Sequence, residues 1–159
     1  MTGLISMHGR VAAIFLIAGG IASSVDAAGP QVYSSRCSMC HQPNGAGIPG
    51  QFPRLSGRVG QIAASKDGRS YLVKVVLFGM FGPVDVDGRH ISGMMPPMGS
   101  LADQDVADTL NFVVTLEKPK KAITPFTAAE VKAIRNAEKL TAAKVASLRA
   151  GLASKGTIP

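Results

Sequence analysis

The 159-residue chain has no tryptophan, only two tyrosines and six phenylalanines. With so few large rings, its core must rest on aliphatic side chains or on an apolar body taken from outside. Cysteine is also scarce. Cys37 and Cys40 would ordinarily suggest a disulfide in an exported chain, but they stand three residues apart and are followed directly by His41. Long apolar runs are missing apart from Val11–Ala22, twelve residues preceded by Arg10 and followed by Val25-Asp26-Ala27. As a helix that run rises about 18 Å, short of the ~30 Å hydrocarbon core of a bilayer. It therefore reads as a secretory signal peptide over residues 1–27, cut after Ala27 or Ala28, rather than as a membrane anchor. Met7 is an alternative start for it.

Acidic residues are few at the C-terminal end. Residues 28–117 carry seven basic and seven acidic side chains, whereas residues 118–159 carry nine basic against Glu130 and Glu138, which places the whole net charge of +7 in the tail. A nucleic-acid role would need a basic face with stacking aromatics or a known motif. The tail offers only Phe126, and export argues further against that role.

The expected organisation is a signal peptide over residues 1–27, a main domain over 28–117 and a basic helical extension over 118–159. Within the domain, a first helix starts near Pro30 and runs through Tyr33 into the cysteine pair. Gln42–Gly60 is too dense in glycine and proline for a regular element. Ser70–Phe78 has helical spacing, with Tyr71, Val75 and Phe78 in register. Gly79–Gly99 reads as a second loop. Asp103–Glu117 reads as a third helix, with Val106, Leu110, Val113 and Val114 forming its apolar stripe. After a charged linker, Lys118–Pro125, the segment Phe126–Arg135 repeats as Leu140–Arg149. Each copy has a capping threonine, and Thr127 with Glu130 forms a capping box. Two short helices forming a hairpin are expected there.

Cys37-Ser38-Met39-Cys40-His41 is the attachment signature of a c-type haem. A turn of helix brings two thiols to two vinyl groups on adjacent pyrrole edges and sets the imidazole of His41 under the iron. A thiol–disulfide site also uses two cysteines at this spacing, but the surrounding pattern lacks alternating strands and helices. A zinc site normally needs four ligands, and only Cys37, Cys40, His41 and His90 could join. About fifty residues on, Gly93-Met94-Met95-Pro96-Pro97-Met98-Gly99 offers thioether donors in a proline-stiffened segment, suited to a soft ligand on iron. Three methionines compete for that role. His90 is a rival that would give a bis-histidine iron of lower potential.

With these motifs the chain resembles the class I cytochromes c. Within that class it resembles the single-haem cytochrome c subunits of periplasmic alcohol, aldehyde and sugar dehydrogenases. The likeness covers about Gln31 to Leu116. It rests on Cys37–Gly57 as a haem loop and Gly93–Asn111 as a methionine loop with the final helix. The resemblance implies an all-α fold, three to four helices around one covalent haem c, with the C-terminal helical hairpin added. It implies that Met95, directly before proline, ligates the iron opposite His41. It further implies that the carbonyl of Pro53 accepts the histidine ring N–H and that Leu55 packs on the haem face. One departure is Ala102, where relatives carry a capping serine or threonine; Ser100 or Asp103 is expected to substitute.

Histidine–methionine ligation fills both axial positions, so the implied function is outer-sphere transfer of single electrons through an exposed haem edge. The implied partners are a periplasmic dehydrogenase and, downstream, a terminal oxidase or another cytochrome, in the periplasm of a Gram-negative bacterium. The contrasting reading is a peroxidase-like haem protein in which Met95 dissociates. The basic tail is read either as a solvated amphipathic hairpin or as a docking element for an acidic partner or an anionic membrane surface.

Overall fold

The computed structural model describes residues 28–159, so the expected signal peptide lies outside the described residues. The elements in order are α1 (Ala28–Arg36), α2 (Ser38–His41), α3 (Arg58–Ile62), α4 (Lys66–Phe78), β1 (Met80–Val86), β2 (Arg89–Met95), α5 (Asp103–Thr115), α6 (Ala128–Ala137) and α7 (Ala142–Ser154). The fold is mainly helical, as expected, with one small antiparallel sheet that the sequence reading did not anticipate.

The centre of the molecule is the packing of α1 on α5, where the rings of Tyr33 and Phe112 stand 5.3 Å apart in a tilted arrangement. Val106, Ala107, Leu110 and Val113 are buried on α5, and Leu72, Val73 and Leu77 are buried on α4, all in one apolar cluster. Helix α4 begins four residues before the expected Ser70. Ser65 caps it by accepting the amide of Gly68 at 3.0 Å, which offsets the poor helix propensity of that glycine. Helix α3 lies partly inside the segment expected to be loop through Gly60. The glycine–proline density stops at Gly57, and Val59 and Ile62, three apart, are buried together. At the start of α5, Ala102 occupies the capping position without a side-chain bond, and neither Ser100 nor Asp103 replaces it. Arg135 instead donates to Asp103 Oδ1 at 2.7 Å and to the carbonyls of Gly99 and Leu101, tying that helix start from outside.

Gly79–Gly99 is not an irregular loop over most of its length. β1 and β2 pair antiparallel from Met80↔Met95 to Val86↔Arg89, closed by a two-residue turn at Asp87-Gly88. Both turn residues have positive φ, 52° and 71°, as a type I′ hairpin turn requires. Side chains alternate along β1: Val84 and Val86 are buried, while Phe81, Pro83 and Asp85 are exposed.

The C-terminal segment does form two helices, capped by Thr127 and Thr141. The capping box is half made: Thr127 accepts the Glu130 amide at 3.2 Å, but the Glu130 carboxylate turns away to Arg69 at 2.7 Å. The helices do not close chiefly on one another as a hairpin. Helix α6 packs on α5 and α4, and α7 packs on β1 and α4. Phe126, Val131, Val145, Leu152 and Ile158 are buried in the same cluster as Tyr33 and Val106, so the extension completes the core.

Candidate functional site

A cleft opens between the main apolar cluster and a smaller one made by Val84, Val86 and Ile91 of the hairpin. Met80 touches both clusters. Val59, Ile62, Leu72 and Val75 line one side of the cleft from the helices, and the three hairpin residues line it from the sheet. The strand period decides which residues face in. Met80, Gly82, Val84 and Val86 of β1 and Ile91, Gly93 and Met95 of β2 border the cleft on alternate positions.

Cys37, Cys40, His41, Pro53, Leu55 and Met95 all border this cleft. α1 brings the chain to Cys37, whose carbonyl accepts the amide of His41 at 3.0 Å. The two thiols are unbridged and half-buried. His41 is 7 % exposed, and its Nδ1 donates to the carbonyl oxygen of Pro53 at 2.9 Å. That bond fixes the tautomer and leaves Nε2 as the acceptor nitrogen. Burial lowers the imidazole pKa and the Pro53 carbonyl partly raises it, so the ring is neutral at neutral pH. The loop between them is held by Gly47. Its φ is +65°, and a Cβ there would collide with the carbonyls of Phe52 and Pro53, so only glycine lets the backbone pass so close. Its amide donates to the His41 carbonyl at 2.9 Å. Tyr33, buried in the core, donates its hydroxyl to the carbonyl of Gln42 at 2.6 Å and pins the residue that follows His41.

The rival candidates separate by position. His90 projects from β2 on the face away from Ile91, is paired with Asp85 at 3.1 Å, and does not border the cleft. Met94 borders its rim but is 65 % exposed, while Met95 shares the inward row of Ile91 and Met98 lies half-buried at the cleft. No group of three His, Cys, Asp or Glu side chains able to hold a metal ion occurs among the described residues, so the four-ligand zinc alternative has no geometric support. The sequence reading missed Met80, Tyr71 and the hairpin valines as cleft residues. It also missed Arg58 and Arg149, which border the cleft as well.

A family model described as Cytochrome c matches residues 27–117. The chain belongs to the cytochrome c family. It is 42 % identical over 149 residues to cytochrome c-552 of Thermus thermophilus, covering 92 % of this chain and 99 % of that protein. The likeness therefore takes in most of the C-terminal extension as well as the haem domain. The chain is also 34 % identical over 86 residues to the cytochrome c subunit of a quinone alcohol dehydrogenase from Gluconobacter oxydans, covering 54 % of this chain and 17 % of that subunit. A match of 31 % over 121 residues to the corresponding subunit of Gluconacetobacter polyoxogenes covers 76 % of this chain and 25 % of that subunit. This cytochrome c thus aligns with one stretch of those longer subunits. It is an electron-transfer haem protein with one covalently bound haem c.

The residues present fit that group. The two separated apolar clusters form walls that a flat apolar body would cover, and exposed apolar surface of this kind otherwise costs roughly 25 cal/mol per Å². The thiols stand at the same cleft as a neutral, oriented imidazole.

Proposed function

We propose that this cytochrome c is an exported carrier of single electrons, with His41 and Met95 as the side chains that would ligate the haem iron. In this reading it passes electrons from a dehydrogenase to a downstream respiratory acceptor in the periplasm. The observation that carries the reading is the pairing of a Pro53-oriented His41 with Met95 on the inward row of the hairpin at one apolar cleft. Haem c bound there would supply a one-electron couple, and His41 and Met95 are the side chains that would hold its iron. The chain's own part is to hold the imidazole, keep the thioether in place and exclude water from the apolar walls. Cys37 and Cys40 would carry the thioether attachments, and Leu55 would pack on the haem face.

Exposed Met39, Phe81 and Met94 provide apolar contact area for a short-lived complex, Phe81 and Met94 being cross-strand neighbours. The basic extension supports an acidic redox partner through its lysines. All seven lysines of residues 118–159 are exposed, whereas Arg135 and Arg149 are engaged within the fold. No helix among the described residues is long and apolar enough to cross a membrane.

The test is spectroscopic. Met95→Ala should abolish the weak far-red absorption band of a ferric iron–methionine bond and lower the midpoint potential, while Met94→Ala and Met98→Ala retain both. Loss of the band in Met98→Ala with retention in Met95→Ala would reassign the ligand. Rapid carbon monoxide binding by the unaltered protein at neutral pH would instead favour the peroxidase-like alternative.

A further inference from the structure

Met95 shares the inward row of the hairpin with a second thioether. Met80, the first residue of β1, stands directly opposite Met95, the last residue of β2. Both border the cleft, together with Gly82, Val84 and Ile91. Side chains directly opposite on one face of an antiparallel pair start about 4.5–5.5 Å apart at Cβ. Methionine is unbranched and turns about three bonds, so each side chain can sweep the space in front of the other. Two soft donors of identical chemistry therefore stand side by side where one iron ligand is needed.

The two are held differently. Met95 is fixed through its backbone. Gly79, at φ +71°, packs so close that a Cβ there would collide with the Met95 carbonyl and the Pro97 nitrogen. The amide of Met98 donates to the Val76 carbonyl at 2.8 Å, and Pro96-Pro97 stiffen the chain between. Met80 is held through its sulfur. Tyr71 of α4, buried at 5 % exposure, donates its hydroxyl to Met80 Sδ at 3.6 Å. Drawing that sulfur away would break the bond of a buried hydroxyl, which opposes the exchange. Packing alone does not require sulfur at this position. Met80 touches both apolar clusters, a contact leucine could make, but leucine offers the Tyr71 hydroxyl no acceptor.

We infer that Tyr71 selects the iron ligand: by tying Met80 Sδ to α4 it withholds a second thioether, and Met95 is left free to bind. Tyr71 is thus a positioning residue that acts through Met80. The inference rests on the reading of Met95 as the ligand.

The experiment uses the haem-loaded protein and two signatures of a methionine ligand: the far-red band of the ferric form and the far-upfield side-chain signals in the NMR spectrum of the ferrous form. Met95→Ala should lack the band. Met95→Ala with Tyr71→Phe should regain it, because the released Met80 takes the place of Met95, and adding Met80→Leu should abolish it again. In the otherwise unaltered chain, Tyr71→Phe should give two sets of ligand-methionine signals, and Tyr71→Phe with Met80→Leu only one. A missing band in Met95→Ala with Tyr71→Phe, or one that survives Met80→Leu, would overturn the inference. So would a band in Met95→Ala, with Tyr71 intact, that Met80→Leu removes. Should the combined variants fail to load haem, Tyr71→Phe alone decides, and a single signal set there would refute ligand selection. A band persisting in Met95→Ala with Met80→Leu and Tyr71 intact would sink Met95 itself as the ligand, and this inference with it.

Discussion

Asn111 grips the backbone of Phe126 with both ends of its amide: Nδ2 donates to the Phe126 carbonyl at 3.0 Å, and Oδ1 accepts the Phe126 amide at 2.7 Å. This is the point at which the linker leaves the haem domain and enters the extension. The Phe126 ring is buried beneath Arg69, whose guanidinium carbon lies 4.0 Å from the ring centroid. Replacing Asn111 by alanine removes two bonds to a half-buried peptide. The expected cost is about 1–3 kcal/mol, read as a lower chemical-denaturation midpoint with an unchanged haem spectrum. A loss below a few tenths of a kcal/mol would mean the extension docks without this clamp.

Gly47 is the position where backbone geometry and the iron ligand meet. Gly47→Ala forces a Cβ against the Phe52 and Pro53 carbonyls at a φ that disfavours side chains. The expected result is a stability loss of about 1–3 kcal/mol together with a changed midpoint potential, because the Pro53 carbonyl orients His41. A variant that loses stability but keeps its potential would separate the loop strain from the ligand.

Arg54 and Asp87 join the haem loop to the hairpin turn through two bonds, 2.8 and 3.1 Å long. The Arg54 guanidinium holds the Asp87 carboxyl below its ordinary value. A lowered folded-state pKa contributes stability that is fully present above the unfolded pKa, near 4, and is lost as pH falls through the folded value. Asp87→Asn keeps the left-handed turn, which asparagine tolerates. The stability difference between the two proteins should therefore be constant at neutral pH and shrink below about pH 4. The pair is substantially exposed, so the neutral-pH difference should stay under about 1 kcal/mol. A difference persisting unchanged into strong acid would rule out the ion pair as its source.

Removing residues 118–159 is a poor test of docking, because Val131 and Val145 are fully buried and the truncated chain would lose part of its core. Replacing Lys118, Lys120, Lys121 and Lys132 by glutamine leaves the core intact. If the extension steers an acidic partner, electron-transfer rates should fall at low salt and converge with the unaltered protein at high salt. Equal rates for both proteins at every ionic strength would remove the extension from partner recognition.

The haem end of the molecule was readable because its chemistry is local. Five consecutive residues define the attachment motif, and proline and leucine follow at fixed spacing. All six residues named from motif and resemblance border one cleft. The hairpin was missed although its signal was present: Val84-Asp-Val-Asp-Gly-Arg-His-Ile91 alternates around an Asp-Gly turn. The surrounding glycines and prolines masked it. The arrangement of α6 and α7 was not readable, because the repeat gives their capping and length but not which surfaces they cover. Nothing local distinguishes Arg149 from the solvated lysines near it; docking of α7 on β1 buries it.

That docking has a consequence for assembly. Cys37 and Cys40 stand near the start of the described residues, whereas α7, which packs on β1 and brings Arg149 to the cleft, stands near their end. A site built from both ends of the described chain is complete only once α7 has docked, so a bound haem and the docked helix stabilise one another.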